Sequence, residues 1–151
     1  MHRIMVVDDE ESILKSLGRT LRRMPDWEVE FFSSSQEALR RARTTIFDAF
    51  VTDCNMPGCN GIDFLTELRD IQPDACRILL TGMVDVDTLM KAINQAGAFR
   101  FYAKPWDDNL LLEGIQEGLR LRDILTENRI LADRLRDQQA ELERYRLQHT
   151  G

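Results

Sequence analysis

Five short apolar runs, each ending on a polar or charged residue, limit what this chain can fold into. They are Arg3–Val7 before Asp8-Asp9, Trp27–Phe32 before Ser33, Ile46–Thr52 before Asp53, Arg77–Leu80 before Thr81-Gly82, and Phe99–Ala103 before Lys104-Pro105. Runs this short, rich in β-branched and aromatic residues and bounded by turn formers, read as buried strands. The segments between them carry helical spacing. Ile13, Leu14, Leu17 and Leu21 share one face, and Pro25-Asp26 ends that stretch. Ser33-Ser34-Ser35 offers an N-cap, with Glu37 near the first turn of the helix that follows. Ile62, Leu65 and Leu68 line a third helix, Asp85–Ala96 forms a fourth closed by Gly97, and Asp107 or Asp108 caps a fifth beginning near Leu110.

Strand and helix alternating five times predict an α/β fold with a parallel sheet covered on both faces. Right-handed crossovers lead to a flavodoxin-like (βα)5 doubly wound sheet in the order 2-1-3-4-5. In such folds the functional site lies beyond the carboxyl ends of the strands. Asp8, Asp9, Asp53, Thr81 and Lys104 are therefore expected to meet at one edge. Three carboxylates repel and resist ionisation unless cations join them. Lys104 supplies one charge, and a hard divalent ion with oxygen ligands, Mg²⁺, supplies two more. One carboxylate is then placed to attack phosphorus while cations stabilise the transferring oxygens.

The stretches "IMVVDDEESIL", "VTDCNMPGCNGIDFL", "RILLTG" and "FRFYAKPWDD" resemble the receiver domain of two-component response regulators over about residues 1–120. The resemblance implies that Asp53 accepts a phosphoryl group from a histidine kinase or phosphotransfer protein. It implies Asp9, Asp53 and the backbone carbonyl of Asn55 as Mg²⁺ ligands, with Asp8 acting through metal-bound water. Lys104 would pair with the phosphoryl oxygens across a cis bond to Pro105, and Thr81 would be the switch hydroxyl. Phe101 stands where the switch aromatic is expected and cannot donate the hydrogen bond of a tyrosine. Tyr102 points to the opposite side of the strand. Asn55 and Met83 lie beside the path of attacking water. Neither is a carboxylate able to orient it, so self-dephosphorylation is expected to be slow to moderate. Such a domain is a switch on the face of the fourth helix, fifth strand and fifth helix, and catalyses only its own phosphorylation and dephosphorylation.

No Gly or Pro interrupts residues 119–147. Leu121, Asn128, Leu135 and Leu142 recur every seven residues, with Ile124, Leu131, Gln138 and Tyr145 between them. This a/d pattern predicts that the fifth helix extends as a parallel coiled coil pairing two copies. Asn128 at an a position fixes register, and Gln138 at d weakens the seam. The organisation expected is a receiver over 1–120, a coiled-coil signalling helix over 121–147 and a disordered tail over 148–151. "FRFYAKPWDD" also resembles receivers joined to cyclic-di-GMP phosphodiesterases or to signalling kinases, which implies an output domain beyond the C-terminus. A stand-alone dimeric adaptor or scaffold is the alternative. A Mg²⁺-dependent phosphatase of the haloacid-dehalogenase type also forms an aspartyl-phosphate, but requires an acid two residues past the nucleophile, where this chain has Asn55.

The charge distribution narrows the partners. Residues 121–151 hold six arginines and six carboxylates and are neutral, so the net −6 falls entirely on residues 1–120. That argues against direct nucleic-acid binding. No apolar run approaches the ~20 residues that span a bilayer. Cys54, Cys59 and Cys76, an odd number without metal-ligand spacing, read as reduced thiols filling small spaces in a cytoplasmic protein. Trp106 is expected to pack beneath the last helix.

Overall fold

The computed structural model describes residues 1–53, 55–56, 59–82 and 86–149, with the backbone alone at 55, 56, 59, 60 and 88. The element order is β1 (His2–Val7), α1 (Glu11–Leu21), β2 (Trp27–Phe32), α2 (Ser35–Thr44), β3 (Ala49–Asp53), β4 (Asn55–Met56), β5 (Cys59–Asn60), α3 (Gly61–Ile71), β6 (Cys76–Thr81), α4 (Val86–Asn94), β7 (Arg100–Ala103) and α5 (Asp108–His149). Five strands form one parallel sheet in the order β2-β1-β3-β6-β7. This is the flavodoxin-like order 2-1-3-4-5 expected from the alternation of elements.

The pleat sorts the apolar residues of the central strands onto two faces. Ile4, Val6, Val51, Ile78 and Leu80 face α1 and α5, meeting Leu17, Leu21, Leu111, Ile115 and Leu119. Met5, Val7 and Phe50 face α2 and α3, meeting Ala38, Ala42, Phe64 and Leu68. Because both faces are covered, every residue of β3 and β6 is buried. That explains runs without polar alternation in the sequence.

The elements differ from the sequence expectation mainly at their ends. β3 starts at Ala49 rather than Ile46, which is 73% exposed. Phe47 instead donates its backbone N–H to Gln72 Oε1 at 2.7 Å, leaving 46–48 as a loop. Ser34 is the cap of α2, its Oγ accepting from Glu37 N. Asp107 caps α5, accepting from Leu110 N at 3.0 Å. The turn expected after Asp53 contains a small antiparallel hairpin, β4 with β5. Gly97 has φ +64°, a left-handed conformation favoured by glycine, and the chain then folds back so that Ala98 N reaches Ala92 O at 3.1 Å.

The fifth helix holds 42 residues, ~63 Å at 1.5 Å per residue. It runs unbroken through the expected domain boundary at 120. It also includes 148 and 149, two residues of the segment expected to be a disordered tail; 150 and 151 lie outside the described residues. At its base it lies tight on the sheet. A Cβ built at Gly118 would collide with the Sγ of Cys76, itself a buried residue of a central strand.

Gly118→Ala gains up to ~1 kcal/mol of helix propensity but meets that collision, which outweighs it. We expect a net loss of about 1–3 kcal/mol, seen as a lower Tm in thermal denaturation. Cys76→Ala in the same chain should recover part of the loss. A Gly118→Ala variant as stable as wild type would contradict this packing.

Candidate functional site

The carboxyl ends of the central strands converge on one acidic pocket. β1 delivers Asp8, fully buried, and Asp9, which is exposed at the mouth. β3 ends in Asp53 and β6 in Thr81, 4% and 2% exposed. Carboxylate oxygens of Asp8, Asp9 and Asp53 all lie within 4.8 Å of one another. Beyond the end of β7, Lys104 places its Nζ 2.9 Å from Asp8 Oδ2 and 3.1 Å from Asp53 Oδ1. Its backbone N–H donates to Thr81 O at 2.8 Å, extending the β6–β7 ladder to the lysine itself. The Lys104–Pro105 bond is cis, as the resemblance implied.

Asp8 is held from both sides: its Oδ1 accepts from Glu10 N at 2.9 Å and its Oδ2 from Lys104. Burial pushes the Lys104 ammonium down, but its hydrogen bonds and charge attraction to Asp8 and Asp53 outweigh this and hold it above its ordinary value. Lys104 brings one positive charge to a cluster of three carboxylates. The donor set is all oxygen, and octahedral Mg²⁺ separates its ligand oxygens by about 3–4 Å. The acid cluster therefore fits a hard divalent cation.

Of the remaining expected residues, Phe101 is 42% exposed on β7, while Tyr102 packs on the other face against the core beneath α5. Asn55 starts β4, two residues past Asp53; its side chain, Cys54 and Met83 lie outside the described residues. Cys76 is buried, and burial pushes its thiol up to about 12 against the opposing charges of Arg77 and Arg100. That suits a space-filling residue. Trp106 packs against the core at the base of α5, as expected, and its Nε1 donates to Asp108 Oδ1 at 2.9 Å.

Asp108 is a residue that sequence reasoning treated only as a possible cap. Its Oδ1 also accepts from the buried Thr20 hydroxyl at 3.0 Å, tying the loop after Lys104 to α1. Two adjacent aspartates at a helix start gave no means of telling the cap, Asp107, from the tether, Asp108.

The family model for the response regulator receiver domain matches residues 4–116. The chain belongs to this family. A curated relative, the hydrogenase transcriptional regulatory protein HoxA of Bradyrhizobium diazoefficiens, is 31% identical over 118 residues, 78% of this chain and 24% of that protein. The chain spans only about a quarter of the length of that regulator and the next curated relatives. Among solved structures, the receiver domain of an HD domain-containing protein from Pseudomonas fluorescens Pf-5 superposes with a TM-score of 0.77 at 30% identity, covering 81% of this chain and 97% of that one. The beryllofluoride-activated NtrC4 receiver domain dimer gives 0.75 at 33% identity, covering 81% and 99%.

Two outcomes test the receiver's pocket. Millimolar Mg²⁺ should raise Tm, the stabilisation growing as the logarithm of 1 + [Mg²⁺]/Kd, EDTA should reverse it, and Asp9→Asn should abolish it. Lys104 is raised in the folded state, so its stabilising contribution is full below its ordinary value of 10.5 and is lost as pH climbs through the folded value. Urea denaturation without metal should therefore show wild type losing more stability above that pH than Lys104→Met.

Proposed function

We propose that this receiver is a phosphorylation-dependent signalling switch in which Asp53 accepts a phosphoryl group from a histidine kinase or phosphotransfer protein. The observation that carries this reading is the Lys104 ammonium 3.1 Å from Asp53 and 2.9 Å from Asp8, in a pocket rimmed by Asp9 and Thr81. Asp53 attacks phosphorus with a carboxylate oxygen as the bond to the donor's imidazole nitrogen breaks, and that nitrogen leaves with the electron pair. Lys104 then transfers part of its attraction from the carboxylate to the phosphoryl oxygens, and the Thr81 hydroxyl donates to one of them. Asp9, Asp53 and the Asn55 carbonyl would hold Mg²⁺, with Asp8 supporting it through water. When bound, the ion neutralises charge developing on the transferring group.

The output face is the one made by α4, β7 and α5. Val86, Met90 and Phe101 are exposed apolar residues there, available to be covered or rearranged when Thr81 is drawn inward. Phe101 reports by packing alone. Neither Asn55, two residues past Asp53, nor Met83, two past Thr81, is a carboxylate able to orient water, so self-dephosphorylation is slow to moderate. The helical extension pairs with a second copy. Its heptad residues Leu121, Ile124, Leu131, Leu135 and Leu142 are all at least 43% exposed, a stripe that association would remove from water. The chain catalyses only its own phosphoryl transfer, acts in the cytoplasm and signals to an output domain carried beyond the helix.

Incubation with acetyl phosphate and Mg²⁺ should add one phosphoryl group, seen in the intact mass, and Asp53→Ala should remove that increment. Modification that persists in Asp53→Ala, or a half-life of seconds with Mg²⁺, would sink the acceptor assignment or the lifetime respectively. Sedimentation at tens of micromolar should show a dimer that Leu131→Glu with Leu135→Glu converts to monomer.

A further inference from the structure

The rim of the sheet opposite the acidic pocket also grips the fifth helix. Arg122 Nη1 lies 2.9 Å from Asp48 Oδ1, and both side chains are largely covered, at 20% and 15% exposure. The other oxygen of Asp48 accepts the backbone N–H of Arg3 at 2.7 Å, which fixes the carboxylate from behind. Seven residues further along the helix, Arg129 forms a two-bond fork with Asp74 at 2.5 and 2.6 Å. His2 Nε2 meets Asp123 Oδ2 at 3.0 Å. Between the two arginines, the Thr126 hydroxyl oxygen is shut off from solvent. The helix thus stays against the body for about three turns beyond Leu119, the last residue of its buried face.

The placement of the partners has a pattern. His2 opens β1, Asp48 immediately precedes β3, and Asp74 lies two residues before β6. These are the three strands whose far ends carry Asp8 and Asp9, Asp53, and Thr81. The charges also complement each other: two rim carboxylates from the acidic body meet two arginines from the neutral extension. Along the helix, 122, 126 and 129 share one face, whereas Leu131 lies nine residues, about two and a half turns, from Arg122 on the opposite one. At Leu131 and Leu135 the heptad stripe points away from the gripped face.

We propose that Asp48, Asp74 and His2 form a seat at the entry ends of β3, β6 and β1, which fixes the direction and rotational phase in which α5 leaves the domain. All its contacts lie within one chain, so the seat operates whether or not the helix pairs with a second copy. It turns the start of the extension from a tether into a rigid continuation of the domain and presents the heptad stripe outward. A single exposed ion pair does little. Here one pair is mostly covered, one is a bidentate fork on the same helix face, and a third polar contact stands beside them on the neighbouring flank.

The test uses the full chain and amide hydrogen exchange of residues 120–131 read by mass spectrometry. In Arg122→Gln with Arg129→Gln, these amides should exchange roughly tenfold faster, while β3 and β6 amides and the rate of labelling by acetyl phosphate stay at wild-type levels. Charge exchange, Asp74→Arg with Arg129→Asp, should restore much of the protection that Arg129→Asp alone removes. In Leu131→Glu with Leu135→Glu, residues 120–129 should stay protected while later amides open. Unchanged exchange in the double glutamine variant would overturn the seat, as would loss of protection over 120–129 in the seam variant. A monomeric wild type in sedimentation would instead count only against pairing, so the two readings fail separately.

Discussion

The structure turns on two buried carboxylates sharing one ammonium. Asp8 and Asp53 sit at the ends of neighbouring strands, and parallel pairing of β1 with β3 leaves them side by side. Two such charges brought out of water repel each other, and neither is stable there without a counter-charge. Lys104 supplies it from β7, two strands from β3, and can do so only if the whole sheet closes in its observed order. The pocket is therefore also a statement about topology. A slip of one residue in β7 would turn the neighbours of Lys104 to the wrong face and break the β6–β7 ladder that ends on Thr81 O and Lys104 N.

What the sequence made legible followed from chemistry that repeats. Strands buried on both faces leave continuous apolar runs, and the polar residue that ends each run falls at the same edge. Asp8, Asp9, Asp53, Thr81 and Lys104 are thus brought to one site by the sequence pattern alone. The less legible parts depend on contacts distant in sequence. Ile46 and Phe47 look like strand residues, but the side chain of Gln72 takes the Phe47 N–H, so the strand starts later. Asp48 and Asp74 look like ordinary loop acids. Only the path of α5 past the sheet shows that each faces an arginine from 55 or more residues away. The long helix itself was visible in its uninterrupted heptads, but the face turned to the body was not, because an arginine beside a leucine stripe suggests a solvated flank as readily as an anchor.

Small residues set how closely the layers approach. Ala38 and Ala42 let α2 lie on the sheet, and Gly118 does the same for α5 over Cys76. Arg77, on the same strand as Cys76, is buried and has no carboxylate partner among the described residues. It donates to the backbone oxygens of Ala75, Ala96 and Gly97 instead, which ties the end of α4 to the start of β6. Burial pushes its guanidinium down from the ordinary value. At the end of the domain remote from the pocket, side chains reaching main-chain oxygens thus work beside the rim ion pairs of Arg122 and Arg129.

The length of α5 has a geometric consequence. About 20 residues extend past Arg129, a free arm of ~30 Å. Turning the body by 5° would sweep the free end through about 3 Å, as large as many side-chain rearrangements that could cause the turn. A body that grips the arm close to its base works as a short-handled lever, trading force at the pocket for displacement at the tip. The farther the gripped region reaches along the helix, the shorter the free arm and the smaller that gain, so the position of Arg129 sets the mechanical ratio of the molecule.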